Sequence, residues 1–370
     1  MLKSRVTLII AIMFCITAEA MPAARRKAAP SIIESKWLLD ESRLKSTDIE
    51  IVWQYNLPLS KNESLNRLLV REKRLFALTS RNYLASFNRM DANVMFSAVL
   101  ASPGLPLAGL EYYKGELLTM VGNKLVELNT ELGSVESSMA GTTGVTCPVV
   151  RNASFYYYAG LDNRLHAIRA SDNVQVFEAA VETASRITSV LAGEEFVVFA
   201  TGAGNVVCIT ADRPKKIWQF DLPKQVAGSL VYDDDSLFIA CKDTKVYSLE
   251  PTYGNLLWKY QTQAILDSSP QPGNKAVYQH IPEIGLIALD KKTGSQLWRV
   301  DGGLGLLAEF GDKAFIITET GTLAAMDNAK GKELYKIDLG GPVKYATNTI
   351  DTKIYVGDSK GRLACLQPIR

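Results

Sequence analysis

The sequence predicts an all-β protein, an eight-bladed β-propeller of four-stranded antiparallel blades, and three observations carry that expectation. A unit of about 40 residues recurs eight times along the chain. Each copy reads as short apolar strands separated by turn residues. The last copy stops before its outer strand, and a segment near the N-terminus has the character of the missing piece. With 370 residues, 47% of them apolar, the chain is long enough to build one large all-β domain.

The clearest copy runs Gly285-Leu286-Ile287-Ala288-Leu289-Asp290-Lys291-Lys292-Thr293-Gly294-Ser295-Gln296-Leu297-Trp298. It contains an alternating strand, a turn ending in glycine, and a second strand bearing a tryptophan. Taking Leu286 as anchor, equivalents fall at Leu84, Leu125, Leu165, Val206, Val246, Leu323 and Leu363, with successive spacings of 41, 40, 41, 40, 40, 37 and 40. An apolar strand precedes every anchor, at 75–78, 117–120, 155–158, 196–199, 237–240, 276–279, 314–317 and 353–356. Turn formers such as Gly122-Asn123, Asp162-Asn163, Thr320-Gly321 and Lys360-Gly361 separate the two, which is a hairpin signal. A weaker strand fits ahead of these, as at 189–191 and 229–232. Four antiparallel strands per 40 residues make a propeller blade.

The second turn carries Gly133, Gly254, Gly294 or Gly331, where a left-handed backbone costs glycine little. Four residues after the turn position comes an aromatic: Phe96, Phe177, Trp218, Trp258, Trp298 and Tyr335. Such rings on outer strands are expected to fill the wedges between blades. The second copy departs, with Ser137 in that place. The eighth anchor lies too near the C-terminus for an outer strand, and Ile51-Val52-Trp53-Gln54-Tyr55-Asn56-Leu57 matches the outer strand around Trp218. Closure of residues 48–370 by this N-terminal strand follows, removing the free sheet edges that invite aggregation.

Residues 1–20 carry Lys3 and Arg5, an apolar run over 6–16 and the small-residue pattern Ala18-Glu19-Ala20, which reads as a secretory signal peptide cleaved after Ala20. The run is too short for the roughly 20 residues of a spanning helix, so no membrane span is expected in the mature chain. Residues 21–47 form a leader with the basic cluster Arg25-Arg26-Lys27. Within it, 31–45 holds Ile32, Ile33, Trp37, Leu38, Leu39 and Leu44 in the pattern of a short amphipathic helix. That helix would either dock on a partner or pack on its own domain. The formal charge of +2, from 41 basic and 39 acidic residues, gives no bulk-charge argument for nucleic acid or a membrane surface.

The Leu-x-Ala-Leu-Asp-x-x-Thr-Gly-x-x-x-Trp form at 286–298, with weaker forms at 246–258 and 323–335, resembles the repeat of the pyrroloquinoline-quinone-like (quinoprotein alcohol dehydrogenase-like) β-propellers over some 320 residues. Within that superfamily the chain is most similar to the periplasmic propeller subunit of the outer-membrane β-barrel assembly machinery, which implies a binding scaffold. It departs from that subunit in having Phe14 rather than a small residue before Cys15, so no lipid-anchor cysteine is expected. The resemblance implies a partner-facing arginine before the inner strand of a middle blade. Arg186 stands in that place, with Ala184 and Ser185 where bulkier apolar neighbours would be.

The resemblance also brings in quinone-dependent dehydrogenases, which imply a pair of adjacent cysteines against the quinone, a calcium ion and an aspartate base. No two cysteines here are adjacent. Cys208 and Cys365 fall in opposite blades and cannot bridge; all four remaining cysteines are expected to sit reduced in strands as small apolar residues, with a pairing by Cys147 or Cys241 left open. Asp233-Asp234-Asp235 reads as a solvated hairpin turn rather than a calcium site, and His166 and His280 have no serine or cysteine partner by spacing. Asn62-Glu63-Ser64 and Asn152-Ala153-Ser154 match an N-glycosylation pattern that is common by chance. The expected protein is therefore a monomeric, exported, non-catalytic scaffold. It is expected to hold an envelope protein, with no cofactor, no metal and no nucleic acid, through loops at 181–186, 222–226 and 301–305. The alternative is a degenerate quinoprotein or a propeller binding a quinone or sugar.

Overall fold

A computed structural model describes residues 44–369, apart from 46, 142 and 234. The signal peptide and nearly all of the leader lie outside the described residues. Eight four-stranded sheets follow one another around a ring: blades 1 to 7 span 65–99, 107–140, 150–179, 187–221, 231–261, 271–301 and 303–338. Blade 8 takes three strands from 344–368 and its outer strand, Ile49–Asn56, from the other end of the chain. That strand pairs antiparallel with Arg362–Pro368, Tyr55 opposite Leu363 and Trp53 opposite Cys365. Asp48 strengthens the seam, accepting hydrogen bonds from Lys313 and Tyr335 of blade 7. Leu44, from the end of the leader, is buried between blades 7 and 8. Among the described residues no helix is long and apolar enough to cross a membrane.

All eight anchors sit on the third strand of their blades and are essentially buried. Their period of about 40 is thus the repeat of the core. The first strands of successive blades line the central channel, and polar side chains tie them together. Thr146 donates to the Ile187 carbonyl (2.7 Å), Ser189 accepts from Leu230 N–H (2.9 Å), and Gln271 accepts from Leu306 N–H (2.8 Å). These bonds occupy backbone groups that a strand bordering a channel otherwise leaves unpaired.

Phe96, Trp218, Trp258 and Trp298 fill the wedges, each meeting the glycine turn of the following blade. A Cβ added to Gly254 would lie 2.6 Å from the Trp218 ring, and one at Gly294 2.5 Å from Trp258. Both glycines also have φ near +70°. Glycine is therefore required twice over, by the left-handed backbone and by the ring against it. Each indole N–H is used as well: Trp218 donates to the Pro251 carbonyl (2.7 Å), Trp258 to Lys291 (3.0 Å) and Trp53 to Arg89 (3.1 Å).

At the junction of blades 2 and 3, where the aromatic gives way to Ser137, a polar cluster stands instead. Arg151 pairs with Glu116 and Glu127 and lies over the rings of Tyr113 and Tyr156, while the Tyr156 hydroxyl donates to Glu127 at 2.6 Å. Burial, with the neighbouring Glu127 carboxyl, pushes Glu116 up to about 7.

The structure corrects one expected loop. Residues 301–305 do not form a loop: the strand Gln296–Asp301 turns at Gly302 alone (φ +64°) into the strand Gly303–Phe310. A single glycine turns the chain from blade 6 to blade 7, so the connection between these two blades is one residue long.

Candidate functional site: the loops flanking blade 4

Arg186 directly precedes the innermost strand of blade 4, Ile187–Ala192, on the connection from blade 3. Its side chain is exposed, and among the described residues no hydrogen bond or ion pair holds its guanidinium. The backbone around it is fixed. The Arg186 carbonyl accepts from Gly202 N–H (2.8 Å), the Ser185 hydroxyl accepts from Ala203 N–H (3.0 Å), and Asn163 donates to the Ala184 carbonyl (2.9 Å). Ala184 adopts φ +46° to make the turn. A pinned backbone has little of its own entropy left to lose on binding, so the ordering cost falls on the arginine side chain.

The 222–226 loop lies on the other side of the same 202–204 turn. Leu222 N–H donates to the Gly204 carbonyl (2.9 Å), Lys242 N–H to Gln225 (3.0 Å), and Leu222 and Val226 are buried, leaving Pro223 and Lys224 exposed. Two of the three expected loops are thus brought together around one turn, and Arg186 and Lys224 give that patch two basic groups.

Sequence reasoning missed the cleft beside this patch, about 520 Å³ in volume and lined by Glu178, Val181, Thr183, Phe199, Val207 and Lys216. It lies in the wedge between blades 3 and 4, where the half-buried Phe177 stands in place of a tryptophan. The one available signal was the blade 4 turn, where Pro214 replaces the glycine on which a ring packs.

The two histidines are structural neighbours of carboxylates rather than of a nucleophile. His166 is buried on the third strand of blade 3, stacked on Tyr158, with Nε2 2.9 and 3.1 Å from the Asp162 carboxylate and Nδ1 3.5 Å from Glu178. His280 Nδ1 is 3.6 Å from Asp267. Of the aspartate run, Asp233 ends the strand Val231–Asp233 and pairs with Lys291 of the next blade, and Asp235 directly precedes the strand Ser236–Cys241. Asn152 is buried and donates to Tyr157 (3.1 Å) and the Gly193 carbonyl (3.1 Å). It is a core residue rather than a glycan acceptor.

The donor set implied for a quinone does not fit. Cys147, Cys208, Cys241 and Cys365 are each free and buried, and burial pushes their thiols up to about 11 or 12. Cys147 and Cys241 therefore do not pair. Among the described residues no three His, Cys, Asp or Glu side chains gather as they would around a metal ion. A channel cavity of about 260 Å³ is lined by Glu111, Tyr113, Arg151, Ser189, Ser229 and Leu230, but its Arg151 is already committed to Glu116 and Glu127.

The family model described as outer membrane protein assembly factor BamB matches residues 162–299 and 283–368, more than half of the chain. The chain belongs to the BamB family. Curated BamB proteins of Nitrosomonas eutropha and Shewanella oneidensis are 28% and 21% identical over 164 and 225 residues, which cover 42% and 56% of this chain. The matches span only 39% and 57% of those relatives' own lengths. A polyvinylalcohol dehydrogenase from a Pseudomonas species is 26% identical over 34% of the chain and 24% of its own length. Among solved structures, BamB from Moraxella catarrhalis aligns with a TM-score of 0.65 over 86% of this chain and 99% of its own, at 12% identity. A computationally designed protein, Ika8, reaches 0.66 over 82% and 96%, also at 12%. At such identity these two likenesses speak for the propeller fold alone.

Proposed function

We propose that the chain is exported, with cleavage after Ala20, and acts in the cell envelope as a non-catalytic scaffold. It holds an envelope protein of the outer-membrane assembly class through the patch formed by residues 181–186 and 222–226. The observation that carries this reading is the exposed, unpartnered Arg186 on a fixed loop in a member of the BamB family. A guanidinium presented in this way suits a carboxylate or a row of backbone carbonyls on the partner.

A photo-crosslinking residue placed at Thr183 in the exported protein is expected to capture an outer-membrane assembly component. Arg186→Ala is expected to weaken that capture about tenfold or more, as truncation of a hot-spot arginine does. Capture that is indifferent to both Arg186→Ala and Lys224→Ala would reject this patch.

The polyvinylalcohol dehydrogenase similarity gives a quinone-binding reading its one specific support. Titrating the purified protein with pyrroloquinoline quinone and calcium is expected to show no binding at micromolar concentration. Saturable binding there would favour the quinone reading.

A further inference from the structure

We propose that His166 is a proton-operated latch that sets the position of the loop carrying Arg186. As regulation of that docking patch, this rests on the function proposed above, while the latch itself is a property of blade 3.

The ring lies between two carboxylates. Burial works to raise the Asp162 carboxyl, but the bonds from the His166 ring and the Arg164 backbone N–H outweigh it and leave it below the usual range. Asp162 is therefore an acceptor, and Nε2, within 2.9 and 3.1 Å of its two oxygens, must carry the hydrogen. In the neutral ring that leaves Nδ1 bare. Nδ1 is buried without a hydrogen-bond partner and faces Glu178 Oε1 at 3.5 Å. A lone pair against a carboxylate is repulsive, whereas a second proton turns the same approach into a charge-assisted contact. The Tyr158 ring, 4.7 Å away and 10° from parallel, holds the imidazole plane between the two carboxylates.

The charged groups recorded against the ring are Asp162, from the turn before its own strand, and Glu178, from the outer strand. Behind Glu178 stands Arg164, which donates to Oε2 at 2.8 Å, and Gln175 donates to Oε1 at 2.7 Å. Both of those groups sit on the exposed side, so a Glu178 released by the ring is drawn outward.

Both carboxylates connect to the docking loop. Glu178 begins the segment 178–183 that lines the 520 Å³ cleft. Asn163, next to Asp162, donates to the Ala184 carbonyl two residues before Arg186. The protonated ring clamps the turn and the outer strand together and holds the loop inward. Loss of the proton frees Glu178 and lets residues 179–186 shift.

The test is NMR of the purified propeller from pH 5.5 to 8, following the histidine ring signals and the amides of 179–186. His166 and His280 are the only histidines, and a His280→Gln protein assigns the two ring signals. The loop amides are expected to shift with the midpoint of the His166 ring. In Glu178→Gln the side-chain amide can donate to neutral Nδ1, so the loop step is expected to vanish while the ring still titrates. Loop amides that take no step with the ring, or take the same step in Glu178→Gln, would overturn the latch. No partner is present in this experiment, so its outcome is independent of whether Arg186 docks anything. Capture at Thr183 repeated at pH 6 and 8 then reads the docking separately.

Discussion

Trp298→Ala is expected to cost about 3–5 kcal/mol of stability, read as the shift of the urea unfolding midpoint. The ring is 5% exposed, lies 5.6 Å from Tyr278, and packs against the Gly331 turn of blade 7. Its N–H donates to Asn328 Oδ1 at 2.9 Å, and Asn328 in turn donates to Tyr278 (2.9 Å) and Glu309 (3.1 Å). Truncation therefore opens a cavity and also leaves a buried amide oxygen without a donor. Trp298→Phe should recover most of the packing and retain only the hydrogen-bond part of the loss, about 1–2 kcal/mol. Leu297→Ala, one residue away but 40% exposed, should change stability by less than about 1 kcal/mol. Equal losses at 297 and 298 would show that the ring does not fill the wedge.

Arg151→Met is expected to destabilise by about 3–5 kcal/mol at pH 8, because it strips the cation from the buried Glu127 and the part-buried Glu116 beside it. The Arg151 and Glu127 side chains are 9% and 6% exposed, so water offers little compensation. The deficit should shrink towards pH 5, where the carboxyls can take up protons. The native protein carries a related pH dependence. Burial, with the Glu127 carboxyl beside it, holds Glu116 up at about 7 in the folded state against about 4.5 for a free glutamate, so the folded chain binds more protons than the unfolded one between those values. Its stabilising contribution is fully present below about 4.5 and is lost as the pH rises through about 7. Unfolding midpoints of both proteins at pH 5, 6, 7 and 8 check this. A deficit for Arg151→Met that is constant across the series would mean that Glu116 and Glu127 are not held as a charged pair by Arg151.

The ring of blades was legible because its signal repeats within about 40 residues. Leu286 and its seven equivalents mark the same buried position in each blade, and the incomplete last copy with a matching segment at 51–57 called for closure. The candidate site was legible only in part. Arg186 is exposed on the connection expected for it, but its company was not visible. The 222–226 loop lies about 40 residues further on and meets it across the 202–204 turn, whereas 301–305 is two strand ends joined at Gly302. The cleft between blades 3 and 4 was hidden because Phe177 keeps the register of the repeat while being smaller than the tryptophan it replaces.

The sequence by itself determined the number of blades, the anchor register and the closing strand, since each follows from apolar periodicity and turn residues within one unit. Tertiary structure alone decided which side chains meet, between blades and across the strands of one blade. Gly254 and Gly294 lie against rings of the preceding blade, Arg151 bridges Glu116 and Glu127, and His166 has one carboxylate from a turn and another from the outer strand. Such contacts depend on how twisted sheets stack around the ring and on strand pairing across a blade, and the one-dimensional repeat carries no record of either.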